Sequence, residues 1–217
     1  IVVAENTGQN VFWEFAVHRP PFNDVRARLA VAHATDAATA ISLIYGDLSI
    51  PENCPVSRGV FGNDQDFCAQ YRPAYDPEKA KALLAELGYG MDNPLETALL
   101  VWTGGNRQKL AEVFQAQLAE VGIKASIEIM DIGSLNARVR QENESTEGTT
   151  GSMDMMTWSW YDPDILHALW HTPGAYRGYT SPELDAILAE TRVLTDPEAR
   201  KAKVQEAFKY LLENAIH

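Results

Sequence analysis

Between residues 95 and 161 the sequence alternates three strand-like stretches with two helix-like ones. Residues 95–102 are apolar on nearly both faces, 123–129 alternate apolar and polar side chains, and 153–161 form a third strand candidate. Apolar residues recur at helical spacing between the first two strands, and a shorter helix is predicted over 132–141. Strands joined by helices pair in parallel through right-handed crossovers. We therefore predict an α/β fold that is three-layer-like, with a mixed, mainly parallel sheet and flanking helices.

Capping residues mark the remaining elements. A strand predicted over 11–17 precedes a helical stretch over 24–45, which Asp36 interrupts and caps again. Three later helices are predicted to begin with a capping residue followed by proline, at Asp76-Pro77, Ser181-Pro182 and Asp196-Pro197.

The segment over residues 47–75 lacks periodicity and is rich in turn residues, which predicts a long irregular loop. Both cysteines of the chain, Cys54 and Cys68, lie in it. We predict that they form a disulfide in an oxidising compartment, and the alternative is two free thiols. A zinc site would need further Cys or His ligands close by, and this segment contains none.

The length of the chain limits the number of domains, and its charge argues against some functions. The 217 residues, 46% of them hydrophobic, are enough for one or at most two compact units. The net charge of −12, with no cluster of Lys and Arg, argues against nucleic-acid binding. No window resembles a membrane span, and the first five residues have neither the regions of a signal peptide nor an initiator Met. We expect a mature protein or a piece of a longer one.

The carboxyl ends of the predicted strands are the expected ligand site, because open parallel sheets bind ligands there. Aromatic rings with a few polar groups suit small amphipathic or cationic solutes. The candidate ligand-binding residues at this edge are Trp158, Trp160, Asp162, Trp102, Thr103 and Asp131. Trp158 and Trp160, two apart, would share one face of their strand. The structural alternatives are core packing for the tryptophans and helix N-caps for the two aspartates.

Other site chemistries find little support in the sequence. His167 and His171 are four apart on a predicted helix, but no third metal ligand is close in sequence, so we predict no metal site. The sequence has no nucleophile elbow, phosphate loop, dinucleotide fingerprint or zinc-protease helix. We predict neither catalytic residues nor a cofactor.

Several segments, in order, resemble one protein family. Pro-Phe followed by Asp-Val-Arg-x-Arg at 21–28, the Asp-Pro helix ending in Gly-Tyr at 76–89, and Gly-Tyr with Ser-Pro at 178–182 are similar to bacterial extracellular solute-binding proteins of family 5. These proteins serve peptide, oligopeptide and nickel ABC importers. The resemblance implies a periplasmic-binding-protein type II fold, in which residues 1–217 form one ligand-binding lobe and the first lobe lies outside the sequence.

The same resemblance implies a role and a location. The protein would be a monomer in the periplasm, or anchored at the cell surface in a bacterium without an outer membrane. It would close on a small solute by hinge motion and deliver it to an ABC permease in the inner membrane.

The family's peptide-binding pattern is incomplete in this chain. Trp158 matches the Trp of a Trp-x-x-Asp stretch, but Tyr161 stands where the Asp would be and Asp162 follows one residue later. The Arg that would hold a peptide carboxylate is missing, and the nearest base is Arg107. We expect a peptide-like solute. A sugar, an opine or a nickel chelate is the alternative within the family, and a protein-interaction module or a hydrolase with a carboxylate site lies outside it.

Overall fold

A computed structural model describes residues 9–144 and 150–216, which contain four strands and nine α-helices. The strands are β1 (Gln9–Phe15), β2 (Leu95–Trp102), β3 (Ile123–Met130) and β4 (Met153–Ser159). The helices are α1 (Val25–Ala34), α2 (Ala37–Tyr45), α3 (Gln65–Ala69), α4 (Pro77–Glu86), α5 (Arg107–Ala119), α6 (Ile132–Glu144), α7 (Ile165–Trp170), α8 (Pro182–Val193) and α9 (Pro197–Glu213).

The four strands form one mixed sheet in the order β1-β4-β2-β3. β2 pairs in parallel with both β3 and β4, as the strand and helix alternation predicts. β1 lies antiparallel to β4 at one edge, with Phe15 opposite Met153 and Asn10 opposite Trp158. The predicted α/β class and the mainly parallel sheet are therefore confirmed.

Several predicted boundaries were wrong at the ends of elements. β4 ends at Ser159, not at residue 161, so that Trp160 and Tyr161 follow the strand. β1 begins and ends two residues earlier than predicted, and α6 continues to Glu144. The predicted irregular segment 47–75 contains the short helix α3 and the end of a 3₁₀ turn at Gly46–Leu48. Periodicity is weak where an element is short or ends, which is where these differences occur.

The predicted helix caps are present. The side-chain oxygen of Asp36 accepts a hydrogen bond from the backbone N–H of Thr39, and Asp76 does the same for Lys79, both at 3.0 Å. Ser181 and Asp196 cap α8 and α9 in the same way. Each such cap satisfies a helix donor that has no partner within the helix and contributes about 1 kcal/mol.

Buried apolar side chains pack on both faces of the sheet. One face, with Leu99, Val101 and Met153, packs against α1, α4 and α5. The other face, with Leu100 and Met156, packs against the α6 side chains Leu135 and Val139. A further core joins α7, α8 and α9 to the segment around Cys54 and Cys68.

The loop around the cysteines is an ordered part of this last core. Cys54 and Cys68 are joined by a disulfide, and both side chains are buried. Gly62 lies against α9 with a φ of +87°, and a Cβ added there would sit 2.7 Å from the Cγ1 of Val204. Only glycine fits this close approach in a left-handed conformation. None of the helices in the described part of the chain combines the length and the hydrophobicity that a membrane span requires.

Candidate functional site

The carboxyl ends of β2, β3 and β4 meet at one edge of the sheet. Because these strands run parallel, Trp102, Met130 and Ser159 are their last residues on the same side. The backbone N–H of Thr103 continues the pairing by donating to the carbonyl of Met130 at 2.8 Å. β1 runs the opposite way, so it begins at this edge. We call it the strand-end edge.

At the end of β2, Trp102 is covered by Arg107. The guanidinium carbon of Arg107 lies 3.6 Å from the centroid of the Trp102 ring. Its Nη1 donates to the carbonyl of Gly104 at 3.0 Å, and its Nη2 lies 3.5 Å from the Thr157 hydroxyl on β4. The side chain therefore spans the ends of two neighbouring strands. Thr103, a predicted site residue, is exposed beside it.

The two tryptophans after Thr157 occupy different environments. Trp158 is half-buried between two of the cores, and its ring meets that of Tyr176 edge-on at 5.4 Å. Trp160 is 53% exposed and Tyr161 is 78% exposed. The expectation that Trp158 and Trp160 share a strand face was wrong, because the strand ends between them. Trp158 packs against these cores at the strand-end edge, and Trp160 presents its ring to solvent.

The two predicted carboxylates already have partners within the chain. Asp131 accepts hydrogen bonds from the backbone N–H of Ser134 at 3.0 Å and from its hydroxyl at 2.6 Å, which lower the pKa of the aspartate. Asp162 forms an ion pair with Arg200 at 3.0 Å and accepts the backbone N–H of Asp164 at 2.9 Å. Asp131 thus caps the start of α6, which is the structural alternative for this residue.

Asp162 lines a separate surface depression. Its volume is about 500 Å³, and Phe61, Asp164, Arg192 and Arg200 contribute to its wall. Asp164 pairs with Arg192, so the acids and bases of this depression largely neutralise one another. It lies beyond the end of β4, near the start of α7, and Phe61 is the one aromatic residue among the described residues that line it.

A buried charged cluster that the sequence reasoning missed lies on the α6 side of the sheet. Glu14 on β1 and Asp154 on β4 are directly opposite in the sheet register, and both are at most 1% exposed. Arg177 lies 2.9 Å from Asp154 and 3.3 Å from Glu142, and it donates to the carbonyl and hydroxyl of Ser152 at 2.9 Å. Glu14 and Asp154 each stand between two apolar residues of a strand, and this pattern was the available signal.

Glu14 is the least satisfied member of this cluster. Neither of its carboxyl oxygens meets a donor in hydrogen-bond geometry within the described residues. Burial raises the pKa of Glu14 well above its usual value, and the negative charge of Asp154 raises it further. The positive charge of Arg177 and the indole N–H of Trp158 act in the opposite direction and lower this pKa. Burial also raises the pKa of Asp154, to about 6, although the positive charge of Arg177 acts to lower it. The Arg177–Asp154 contact is an ion pair by distance, although it lacks the alignment of a hydrogen bond.

The two histidines of α7 lie side by side. The rings of His167 and His171 stack with centroids 3.9 Å apart, and Nε2 of His167 lies 3.1 Å from Nη1 of Arg192. Burial and the positive charge of Arg192 lower the pKa of His167. In the part of the chain that the structure describes, no three His, Cys, Asp or Glu side chains come together as a metal site.

The chain is similar to known proteins of one family. The family model described as bacterial extracellular solute-binding proteins, family 5 Middle, matches residues 2–177. Di/tripeptide-binding protein 2 of Pseudomonas aeruginosa is 30% identical over 86% of this chain and 35% of its own length. Heme-binding protein A of Haemophilus influenzae is 29% identical over 99% of the chain and 39% of its own length.

A solved structure has the same fold. HbpA2 of Haemophilus parasuis superposes with a TM-score of 0.85 and 26% identity, covering 98% of this chain and 42% of that protein. The chain thus spans about two fifths of the length of the proteins it matches. Both curated relatives are named as binding proteins, not enzymes. The chain belongs to the bacterial extracellular solute-binding proteins of family 5.

Proposed function

We propose that the protein containing this chain is the substrate-binding component of an ABC importer, which captures a peptide-like solute and delivers it to a membrane permease. Residues 1–217 would form a single lobe, with the strand-end edge as one wall of the ligand cleft. The location would be the periplasm, or the cell surface in a bacterium that lacks an outer membrane, and the protein would act as a monomer.

The observation that carries this proposal is an open aromatic edge on a lobe of the binding-protein fold. Trp102 and Thr103 line the end of β2, and the exposed ring of Trp160 follows β4. Flat rings with few polar groups around them suit partly apolar organic solutes. Of the six predicted contact residues, these three are the best placed, Trp158 supports the wall, and Asp131 and Asp162 would first have to leave their present partners.

The names of the relatives support the proposed class of solute. One relative is a di- and tripeptide-binding protein, and another is a heme-binding protein. Short peptides and heme both combine carboxylate groups with apolar or aromatic parts. We place a short peptide first, heme second, and a sugar, an opine or a nickel chelate after them.

The test is a binding panel on the natural full-length protein. Thermal shift and titration calorimetry would use Met-Leu, glutathione, hemin, maltotriose, octopine and nickel–histidine. We expect a peptide to raise the melting temperature in a concentration-dependent way, because a ligand at 100 times its Kd stabilises the native state by about 2.7 kcal/mol. Deleting the gene should abolish uptake of the same compound.

A different result would replace this proposal. If no member of the panel shifts the melting temperature while the protein hydrolyses a chromogenic ester or glycoside, the hydrolase alternative holds. If only a protein partner is captured and stabilises the fold, the interaction module does.

A further inference from the structure

We infer that Arg72 and Lys79 bind a phosphate group in a second surface depression, which lies between α1, the start of α4 and the end of α9. Its volume is about 370 Å³, which is within the range of small-ligand pockets. The described residues that line it include none from the strand-end edge. The inference therefore goes beyond the proposed function and does not depend on it.

Arg72 is a half-buried cation without a carboxylate partner. Arg58 in the same irregular segment pairs with Glu52, and Arg200 on α9 pairs with Asp162. The Arg72 side chain, in contrast, forms no ion pair or hydrogen bond with a described residue. Burial lowers the pKa of Arg72, and the more distant charge of Glu52 only partly offsets this. The guanidinium has thus lost hydration that no anion of the described chain replaces.

The segment that carries Arg72 is held in place on both sides. The backbone N–H of Arg72 donates to the carbonyl of Cys68 at 3.0 Å, next to the disulfide. The backbone N–H of Asp76 donates to the carbonyl of His33 at 2.8 Å, and Nδ1 of His33 donates to the carbonyl of Ala74 at 2.6 Å. A ligand that binds here does not have to order this segment first, which favours binding.

The two carboxylates in the wall of the depression have partners of their own. Asp76 accepts the backbone N–H of Lys79 at 3.0 Å and so caps α4. Glu213 lies 3.9 Å from the ammonium group of Lys209. The ammonium group of Lys79 is exposed and pairs with no acid in the described part of the chain. Two cations, Arg72 and Lys79, therefore remain for an anionic ligand.

A tetrahedral oxyanion suits these two cations better than a carboxylate does. The guanidinium of Arg72 can bind two oxygens with parallel N–H groups, whereas the ammonium of Lys79 is a point charge with three donors. A carboxylate has only two oxygens, and the guanidinium would occupy both. A phosphate group has further oxygens for the lysine. Dissolved phosphate and a phospholipid head group share this chemistry, and the experiment distinguishes them.

The first test is titration calorimetry of the natural full-length protein with inorganic phosphate, with sodium chloride keeping the ionic strength constant. Direct binding is measured because phosphate also raises melting temperatures by its exclusion from protein surfaces. We expect saturable binding to the wild type. Arg72→Ala should weaken it about 10- to 100-fold, because a desolvated charge-assisted contact is lost. Lys79→Ala should weaken it about 2- to 5-fold, because that side chain is solvated.

Matched variants separate this contact from general charge and from folding. Arg140→Ala removes the same type of side chain from an exposed position on α6 and should leave the Kd for phosphate unchanged. Arg72→Lys keeps the charge but not the parallel N–H groups, so its affinity should be intermediate. Circular dichroism checks the fold of each variant. Should Arg72→Ala fail to fold, Arg72→Lys and Lys79→Ala decide.

The second test is flotation of the same protein with lipid vesicles. One set contains equal parts of phosphatidylglycerol and phosphatidylcholine, and the other contains phosphatidylcholine alone. Flotation with the anionic vesicles that Arg72→Ala abolishes would identify a lipid head group as the source of the phosphate. Calorimetric binding without flotation would identify dissolved phosphate or a soluble phosphate ester.

Two results would overturn the inference. One is a wild type that shows neither saturable binding of phosphate nor flotation that depends on Arg72. The other is binding that Arg72→Ala and Lys79→Ala leave unchanged. Neither test uses the imported solute, so a negative result leaves the proposed import function standing, and a failed solute panel leaves this inference standing.

Discussion

At the scale of single residues, Glu14 and Asp154 are unusual because two buried carboxyls face each other across adjacent strands. Arg177 compensates Asp154 directly, while Glu14 has no hydrogen-bond partner among the described residues. The raised pKa values mean that the folded chain binds more protons than the unfolded chain between the ordinary carboxyl pKa and the folded one. Stability must therefore fall as the pH rises through that window. For Asp154 the window runs from 3.8 to about 6.

Glu14→Gln should reduce this loss of stability. The amide is neutral at every pH, so the variant avoids the cost of ionising residue 14. Between pH 4 and pH 8, the free energy of unfolding of the variant should therefore rise relative to that of the wild type by on the order of 1–3 kcal/mol. Urea unfolding followed by circular dichroism at both pH values measures the difference. Glu128→Gln, an exposed glutamate on β3, is the control and should follow the wild type. Equal pH profiles for Glu14→Gln and the wild type would show that Glu14 carries no such penalty.

At the scale of elements, the disulfide loop and α9 hold each other in place through Gly62. Gly62→Ala would combine an unfavourable left-handed backbone with a clash against Val204. We expect a loss of about 2–5 kcal/mol in the free energy of unfolding, of which about 1–2 comes from the backbone and the rest from overpacking. Gly88→Ala is the matched control, because it also has positive φ but has nothing within 4 Å of the added Cβ. If both variants lose the same stability, the loop does not pack on α9 as described.

At the scale of the whole molecule, the described cores close around the sheet within this chain. Both sheet faces and the helices α7 to α9 contribute buried apolar side chains to these cores without another chain. We therefore expect the 217-residue chain, expressed alone, to unfold in one cooperative transition.

The 217-residue chain alone should bind the solute more weakly than the natural full-length protein, because one wall of a cleft excludes less water than two. Calorimetry on both forms measures this, and equal affinities would mean that the strand-end edge alone forms the site.

The sequence by itself determined the class of fold and the order of its elements. The apolar pattern of β2 and β3 and the caps at Asp76, Ser181 and Asp196 act over a few residues, so they can be read without knowing the partners. The parallel pairing followed from the helices between the strands. The same reasoning predicted that Trp102 and Thr103 lie at the edge where the parallel strands end. It did not predict where β4 ends, or that Trp158 and Trp160 have different environments.

Only the tertiary structure decided which distant side chains meet. The antiparallel pairing of β1 with β4 sets Glu14 opposite Asp154, 140 positions later in the chain, and packing brings Arg177 onto them. The contact of Arg107 with both Trp102 and Thr157 likewise depends on β2 lying beside β4. Strand order and register come from the burial of whole sheet faces, which is a property of the assembled chain and not of any local pattern.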